Sequence, residues 1–521
     1  MAEPVMAISP ADIGILQRAV GLLQANRGLE AEALLRTLPP GAQGHPDALY
    51  LRAVCAEKAG RVQEALTLFD AALRLAPGHA GIWNSRGNLL DRLGDQDGAM
   101  TSYRRAVAIV PGHFEAWLNL GIVGAAMKRW DDAEQALGRA GQLAPGDGRV
   151  PAVIGLLEQG RGRLDAAIAA YGSALAINPR DTRARHNLAT ALRTKGDLPA
   201  ALAEIDAAIR DGMTSADTAA VRAHLLADLG QFDAAVAQYR AVIAAAPDHL
   251  DAQETLAQLL PQIGRGAEAL DGYAAALGPS ASRALWVAAI NAARAAGDAA
   301  KLLRWADAAA AAQGPHLDWT LARIGALTLM GERDAALAAG LAADQNSGSV
   351  RNYLAYLYLQ AGDLARAEAH ALAATRLIPD SQSPWALLSI IWRLTGDARE
   401  AWLADYDRLV MVADLAVPDG WPDLPTFLAA LTDVLTRLHL TIAAPAEQSL
   451  RGGTQTRGKL LDKTDPIIKA LEHSLIATIE QCLAGLSPEP GHPFLGRLNG
   501  KIEMAGSWSV RLSSAGFHIS H

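Results

Sequence analysis

The sequence predicts an all-α fold, built as an array of stacked helix pairs. Three residue types recur at fixed phases of a 34-residue frame between residues 46 and 283. Glycine stands five residues before most of the phased alanines, with Lys128 in the one missing place, and proline stands twelve residues after most of them. Three residue types in fixed phase identify a repeat protein rather than an alanine-rich composition. The phased alanines are Ala65, Ala99, Ala133, Ala167, Ala201, Ala235 and Ala269.

Each phased residue has a physical role in a helix pair. Glycine ends the first helix, because it accepts a positive φ without strain. Alanine and an aromatic residue four positions later form one stripe of the second helix, as Ala99 and Tyr103 do, and proline then stops that helix. With Trp117 and Gly121 on a first helix, this pattern resembles the tetratricopeptide repeat. That resemblance implies helix-turn-helix units stacked into a right-handed superhelical solenoid.

The predicted array covers residues 12–415 and contains about twelve helix pairs. A degenerate first repeat has Ala31 in phase, and seven regular repeats follow between residues 46 and 283. Later turn glycines from Gly297 to Gly396 indicate further, less regular pairs. Three prolines and a glycine between Val417 and Pro425 end the array, so residues 418–521 are predicted to form a second region.

Composition excludes several kinds of partner. The formal charge of −8 and the lack of a basic run argue against nucleic acid. No apolar run reaches the roughly 18 residues of a membrane span, and the N-terminus does not have the pattern of a signal peptide. Cys55 and Cys482 lie in helical patterns, which favours reduced thiols. These features together predict a soluble, cytoplasmic protein without membrane contact.

Four asparagines are candidate peptide contacts: Asn84, Asn88, Asn119 and Asn187. All four lie on first helices, which in tetratricopeptide arrays line the concave groove. They form either a ladder of contacts to a protein or peptide in that groove or a set of solvated positions. The lysines that accompany such asparagines in clamps for acidic tails are absent, since Leu118 and His186 precede Asn119 and Asn187.

The C-terminal region is predicted to be a small α+β structure. Residues 426–438 form an amphipathic helix with Leu428, Leu431, Leu435 and Leu438 on one face, and a second helix opens at Pro466. Residues 447–459 form a polar, glycine-bearing segment. Trp508, Val510 and Leu512 alternate with polar residues, which is typical of a half-buried strand. A turn at residues 513–516 then leads into a second strand.

Two C-terminal segments, residues 448–456 and 506–518, resemble a putative Fe(II)/2-oxoglutarate-dependent oxygenase family. The resemblance implies a double-stranded β-helix, with Fe(II) and 2-oxoglutarate as cofactors. It makes His521 the candidate first iron ligand, and the other ligands of the family are missing. Residues 418–521 are therefore expected to be a truncated domain that binds neither cofactor and is inactive alone. The motif residues are Gln448, Arg451, Gly452, Gly453, Thr454, Gln455, Trp508 and His518.

Other short patterns have simpler interpretations. Residues 453–459 match most of a phosphate-binding loop, but Leu460 replaces the required Ser or Thr, so a polar turn is predicted. His249 and His316 each precede an aspartate by two residues at a predicted helix start, and both are predicted to be solvated turn residues rather than iron ligands. The predicted function is a protein-interaction scaffold fused to an incomplete oxygenase domain. The alternatives are a scaffold or adaptor without catalysis and a repeat-fused transferase.

Overall fold

The computed structural model describes residues 9–443 and 450–518, so Gln448 and His521 lie outside the described residues. The chain is mostly helical and divides into two compact units. The first unit holds residues up to Leu192 together with Ala203–Gly212. The second holds Arg193–Leu202 and residues from Met213 onward. In the part of the chain that the structure describes, no helix has the length and apolar character needed to cross a bilayer.

Helices up to the unit boundary are α1 (Pro10–Gln24), α2 (Gly28–Leu35), α3 (Pro40–Gln43), α4 (Pro46–Lys58), α5 (Val62–Leu75), α6 (Ala80–Arg92), α7 (Gln96–Ile109), α8 (Phe114–Ala126), α9 (Trp130–Leu143), α10 (Arg149–Gly160), α11 (Leu164–Ile177), α12 (Thr182–Lys195) and α13 (Leu198–Arg210). The boundary between the units passes through α12 and α13.

Helices of the second unit's repeats are α14 (Ala216–Asp228), α15 (Phe232–Ala245), α16 (Leu250–Gln262), α17 (Asp271–Ala276), α18 (Arg283–Ala295), α19 (Ala299–Gln313), α20 (Leu317–Leu329), α21 (Arg333–Ala342), α22 (Gly348–Gln360), α23 (Leu364–Leu377), α24 (Ser383–Thr395), α25 (Arg399–Ala404) and α26 (Tyr406–Leu409). The C-terminal elements are α27 (Leu424–Leu438), β1 (Leu450–Gln455), α28 (Pro466–Ala484) and β2 (Val510–His518).

The phased residues take the roles that the sequence predicts. The turn glycines from Gly60 to Gly264 have φ between 74° and 94°, and Lys128 adopts the same left-handed conformation with φ of 57°. Six of the seven phased alanines are completely buried, and Ala269 is 6% exposed. Tyr103 and the tyrosines at the same phase fill the space between helices. The helix-pair architecture is therefore confirmed.

The regular frame is distorted in the repeat that precedes Pro279. Its second helix is replaced by a short 3-10 turn at Gly266–Glu268 and the six-residue α17. Ala269 and Tyr273 still pack into the core, so the buried alanine and aromatic positions are kept although the helix is shorter. The early proline accounts only for the C-terminal end of α17, because it cannot continue the backbone ladder of the helix, and nothing in the structure explains the 3-10 turn at its start.

The first C-terminal helix begins at Leu424 and buries most of the predicted face, since Leu431 is buried and Leu435 and Leu438 are partly buried against the same core. Phe427, Leu431 and Val434 point into a small core with Leu460 and Ile468. Leu428, predicted on the buried face, is 41% exposed. The phenylalanine at position 427 decides the orientation, because its large ring buries more apolar surface than the leucine beside it.

The strand prediction was wrong in two respects. Residues 513–516 do not turn, because β2 continues from Val510 to His518. Its partner is β1, within the segment predicted to be polar and irregular, and the two strands form an antiparallel two-stranded sheet. Thr454 pairs with Arg511 and Gln455 with Val510. Trp508 precedes β2 and is half exposed. The two segments that carry the oxygenase resemblance are thus hydrogen-bonded neighbours.

Candidate functional site

Three of the four predicted asparagines meet on adjacent first helices of the first unit. Asn84 and Asn88 lie on α6, and Asn119 lies on α8. Asn119 Nδ2 donates to Asn88 Oδ1 at 2.9 Å and to Asn84 Oδ1 at 3.2 Å. The 34-residue repeat brings these side chains together, because residues at similar phases of neighbouring repeats share one surface of the array.

Tyr103 on α7 fixes the orientation of this asparagine cluster. Its hydroxyl donates to Asn88 Oδ1 at 2.9 Å, so that oxygen accepts two hydrogen bonds. Burial raises the pKa of the Tyr103 hydroxyl well above its usual range, so the group stays a donor at physiological pH. Because its oxygen faces these two donors, the Asn88 amide nitrogen points away from them.

A pocket of about 350 Å³ adjoins the asparagine cluster. Arg92 and Glu57 form an ion pair at its edge, and Ile122 adds a partly exposed apolar side chain. Among residues 9–443 and 450–518, the structure gives no hydrogen-bond partner to the Asn84 and Asn88 amide nitrogens or to Asn119 Oδ1. The lining residues are Glu57, Asn88, Asp91, Arg92, Tyr103, Asn119 and Ile122.

Asn187 does not join this cluster. It lies on α12, two repeats further along the chain than Asn119, and is half-buried. Within the described residues, no hydrogen bond links it to the other three asparagines. The candidate site is therefore confined to α6, α7 and α8 with the adjoining end of α4.

A second cluster occupies the same phase in the second unit, and sequence reasoning missed it. His224 stands six residues before Gly230, as Asn88 stands six before Gly94. Its Nδ1 lies 2.5 Å from the Tyr239 hydroxyl, and its Nε2 lies 2.7 Å from Asp251 Oδ2. The hydrogen bond from His224 lowers the pKa of Asp251. The repeat phase was the available signal, since Tyr103 and Tyr239 also occupy equivalent positions.

The two histidines predicted to be solvated turn residues cap helices instead. His249 Nδ1 accepts from the Ala252 N–H and His316 Nδ1 from the Asp318 N–H. The His249 side chain is only 12% exposed, and its Nε2 lies 3.1 Å from Asp217 Oδ1. Their positions at helix starts explain the role, since the first N–H groups of a helix need acceptors from outside it.

The oxygenase-like motif residues line the strand pair. Arg451, Gly452, Gly453, Thr454 and Gln455 belong to β1, so the turn predicted for residues 453–459 begins later than expected. Thr454 Oγ1 lies 2.8 Å from His439 Nδ1. His518 pairs with Leu450 at the end of the sheet. Among the residues that the structure describes, no group of three or more His, Cys, Asp or Glu side chains could hold a metal.

Family models match more than half of the array. Residues 17–223 match the C-terminal domain of cilia and flagella-associated protein 70, and residues 221–284 match the tetratricopeptide repeat. No curated protein sequence matches the chain. The chain is therefore a tetratricopeptide-repeat protein, and these comparisons give no support to an oxygenase domain.

Solved structures with a similar fold cover parts of the chain. A tetratricopeptide repeat protein from Parabacteroides merdae is 18% identical, with a TM-score of 0.40, over 46% of this chain and 94% of its own. Pseudomonas aeruginosa PilF is 21% identical, with a TM-score of 0.36, over 40% and 96%. The thermophilic repeat protein TTC0263 of Thermus thermophilus is 25% identical, with a TM-score of 0.30, over 35% and 99%.

Proposed function

We propose that the chain is a protein-interaction scaffold whose first unit binds an extended peptide at Asn84, Asn88 and Asn119. The observation that carries this proposal is the fixed orientation of the three amides. Two amide nitrogens and one amide oxygen of the cluster have no partners among the described residues, and two of the three asparagines, Asn88 and Asn119, line the pocket. A peptide group offers one acceptor and one donor, which is the complementary set. Tetratricopeptide-repeat proteins generally bind proteins or peptides.

The chemistry of the pocket favours recognition of the peptide main chain over an acidic side chain. The amides are neutral and Glu57 balances the charge of Arg92, so the Asp91 carboxylate leaves the lining slightly acidic. Ile122 supplies an apolar surface beside the amides, so an apolar side chain of the peptide fits there. Each neutral hydrogen bond contributes about 0.5–1.5 kcal/mol net, so two or three such bonds give moderate affinity and broad specificity.

The test uses peptides selected from a random phage-displayed library on the immobilised full-length chain. The selected peptides are synthesised, and their Kd is measured for the wild type and for Asn88→Ala and Asn119→Ala. Each substitution should weaken binding about tenfold, in line with one lost hydrogen bond and one unpaired group. Gln63→Ala, which removes an exposed amide from the second helix of the same unit, is the control and should change nothing. Peptides whose affinity is the same for all four proteins would contradict the proposed site.

A second candidate function concerns residues 418–521, which resemble an Fe(II)/2-oxoglutarate oxygenase. The pairing of its two motif segments in one sheet favours this candidate. The resemblance supplies one candidate iron ligand, His521, whereas a working site of this class needs about three protein ligands. The full-length chain is therefore expected to bind Fe(II) weakly and to release no succinate from 2-oxoglutarate. Succinate release that disappears in His521→Ala would establish the oxygenase function and contradict this expectation.

A further inference from the structure

The polypeptide after α27 lies on the turn side of the second unit's repeats. We define the C-terminal segment as residues 440–443 and 450–464. The N–H groups of Ile442 and Ala443 both donate to the Gln262 carbonyl at 3.1 Å. Further along, the Thr464 hydroxyl donates to the Lys195 carbonyl at 2.7 Å. The segment therefore contacts the ends of first helices in repeats that are adjacent along the array.

An arginine anchors the middle of the C-terminal segment. Arg457 Nη1 lies 3.6 Å from Asp228 Oδ1, and the other oxygen of that carboxylate accepts from Arg193 Nε at 2.7 Å. The Arg457 side chain is 20% exposed, so most of it is enclosed by the contact. Asp228 is thus held between an arginine of the repeats and an arginine of the segment.

The covered positions correspond to those that line the pocket of the first unit. Asp228 stands two residues before Gly230, as Arg92 stands two before Gly94. His224 and Tyr239 likewise correspond to Asn88 and Tyr103. In the first unit, residues at these phases line an accessible pocket. In the second unit, Asp228 is paired with Arg457 of the C-terminal segment.

The contact leaves several buried polar atoms without partners. Within the described parts of the chain, Thr441 Oγ1 and Gln455 Oε1 of the segment make no hydrogen bond. The same holds for Arg457 Nη1 and for Gln262 Oε1 on the repeats. Most buried polar groups in proteins are hydrogen-bonded. Unpaired atoms lie on both sides of this contact, as they do at Trp286 and Trp319 within the repeats, so a ligand that pairs these groups can compete with the segment.

We propose that the C-terminal segment is an internal ligand of the second unit's repeats and that outside peptides of the same chemistry compete with it. The competing peptide is extended, donates main-chain N–H groups to the Gln262 carbonyl as Ile442 and Ala443 do, and places an arginine against Asp228. This inference goes beyond the site proposed in the first unit, since none of its residues takes part.

The test uses the full-length chain and a fluorescent synthetic peptide with the sequence of residues 438–464. Binding is followed by fluorescence polarisation. The wild type should bind the probe weakly, because the tethered segment competes at a high effective concentration. Arg457→Asp should bind the probe about tenfold or more tightly, since repulsion from Asp228 loosens the internal segment while the probe keeps its arginine. Lys459→Asp makes the same charge change at an exposed neighbouring position and should behave as the wild type does.

Exchanging the charges of Asp228 and Arg457 tests whether the state of the internal segment, rather than misfolding, controls probe binding. This arm uses a probe that carries aspartate in place of the arginine: Asp228→Arg alone should bind it tightly, whereas Asp228→Arg with Arg457→Asp, which restores an opposite-charge pair within the chain, should bind it weakly. If Arg457→Asp lowers the Tm or the helical content, the comparison is made with Arg457→Gln, which only removes the charge. That variant should also bind the probe more tightly than the wild type does. Asn88→Ala with Asn119→Ala should leave probe binding unchanged, which keeps this result independent of the first-unit site. Equal probe affinity in the wild type, Arg457→Asp and Arg457→Gln would overturn the proposal.

Discussion

Tyr103 combines a packing role and an orienting role in one side chain. Its ring lies so close to Gly87 that a Cβ added there would be 2.6 Å from it. Its hydroxyl fixes Asn88. The repeat phase predicted the ring position, because the aromatic stripe is a local pattern. The phase could not predict the hydroxyl's partner, since that depends on how α6 and α7 pack.

Replacing Tyr103 by Phe should separate the two roles. The ring contacts remain, and the loss of one hydrogen bond should lower the free energy of unfolding by about 0.5–1.5 kcal/mol. Peptide binding should weaken as well, because Asn88 loses its orienting donor. Tyr171→Phe is the matched control, since Tyr171 stands at the same phase of another repeat and its hydroxyl donates to Gln159, outside the asparagine cluster. It should lower stability similarly and leave affinity unchanged. Equal affinity losses in both variants would contradict the orienting role.

His439 should make the strand pair sensitive to mild acid. Its ring nitrogens contact Thr454 and Ser509, and burial, followed by the positive charge of Arg511, lowers its pKa. A lowered pKa means that the unfolded chain takes up the proton first. The stabilising effect of neutral His439 is therefore complete above the unfolded pKa of about 6.5 and is lost as pH falls through the folded pKa.

Calorimetry from pH 8 to pH 5 measures this effect. The Tm of the wild type should fall relative to that of His439→Gln as pH drops below about 6.5. His473→Gln changes an exposed histidine on α28 and should follow the wild type. A Tm difference between the wild type and His439→Gln that stays constant across this range would exclude a titrating role for His439.

The two helices of a pair pack closely because small residues on one helix face large residues on the other. Ala167 is completely buried between helices, and a Cβ added at Gly155 would lie 2.4 Å from the Tyr171 ring. The sequence predicted these pairs well, since glycine, alanine and aromatic residues recur in phase. It found the start of β2 but missed its length, and it missed β1 because β1 contains Gly452 and Gly453 and has no alternating pattern. Their pairing joins segments more than fifty residues apart, which no local signal marks.

Substitutions at these positions should destabilise the array by overpacking. Ala167→Leu and Gly155→Ala should each lower the free energy of unfolding by about 1–3 kcal/mol, measured by urea denaturation. Gly172→Ala is the control on the same helix as Ala167, because a Cβ there meets nothing within 4 Å. It should stabilise the protein by up to about 1 kcal/mol through helix propensity. Unchanged stability in Ala167→Leu would show that this alanine is not a close contact.

At the scale of the whole molecule, one repeat pattern serves two uses. The first unit carries neutral amides beside an accessible pocket, and the second carries Asp228 against the chain's own C-terminal segment. The sequence predicted the array, because its phased residues recur, and the end of the array after residue 415 stays a prediction. It did not predict where the C-terminal segment lies. That position depends on a few contacts such as Arg457 with Asp228, and their separation of 229 residues leaves no periodic trace.

Photo-crosslinking tests the peptide site most directly. Benzoylphenylalanine is placed at Ile122, which lines the pocket, in the full-length chain with a library-selected peptide bound. The control places it at Leu75, an exposed apolar residue at the end of a second helix in the same unit. A covalent adduct should form at position 122 and should be lost when Asn88→Ala and Asn119→Ala are combined. No adduct should form at position 75. Adduct formation at position 75 but not at 122, or equal formation at both, would contradict the proposed peptide site.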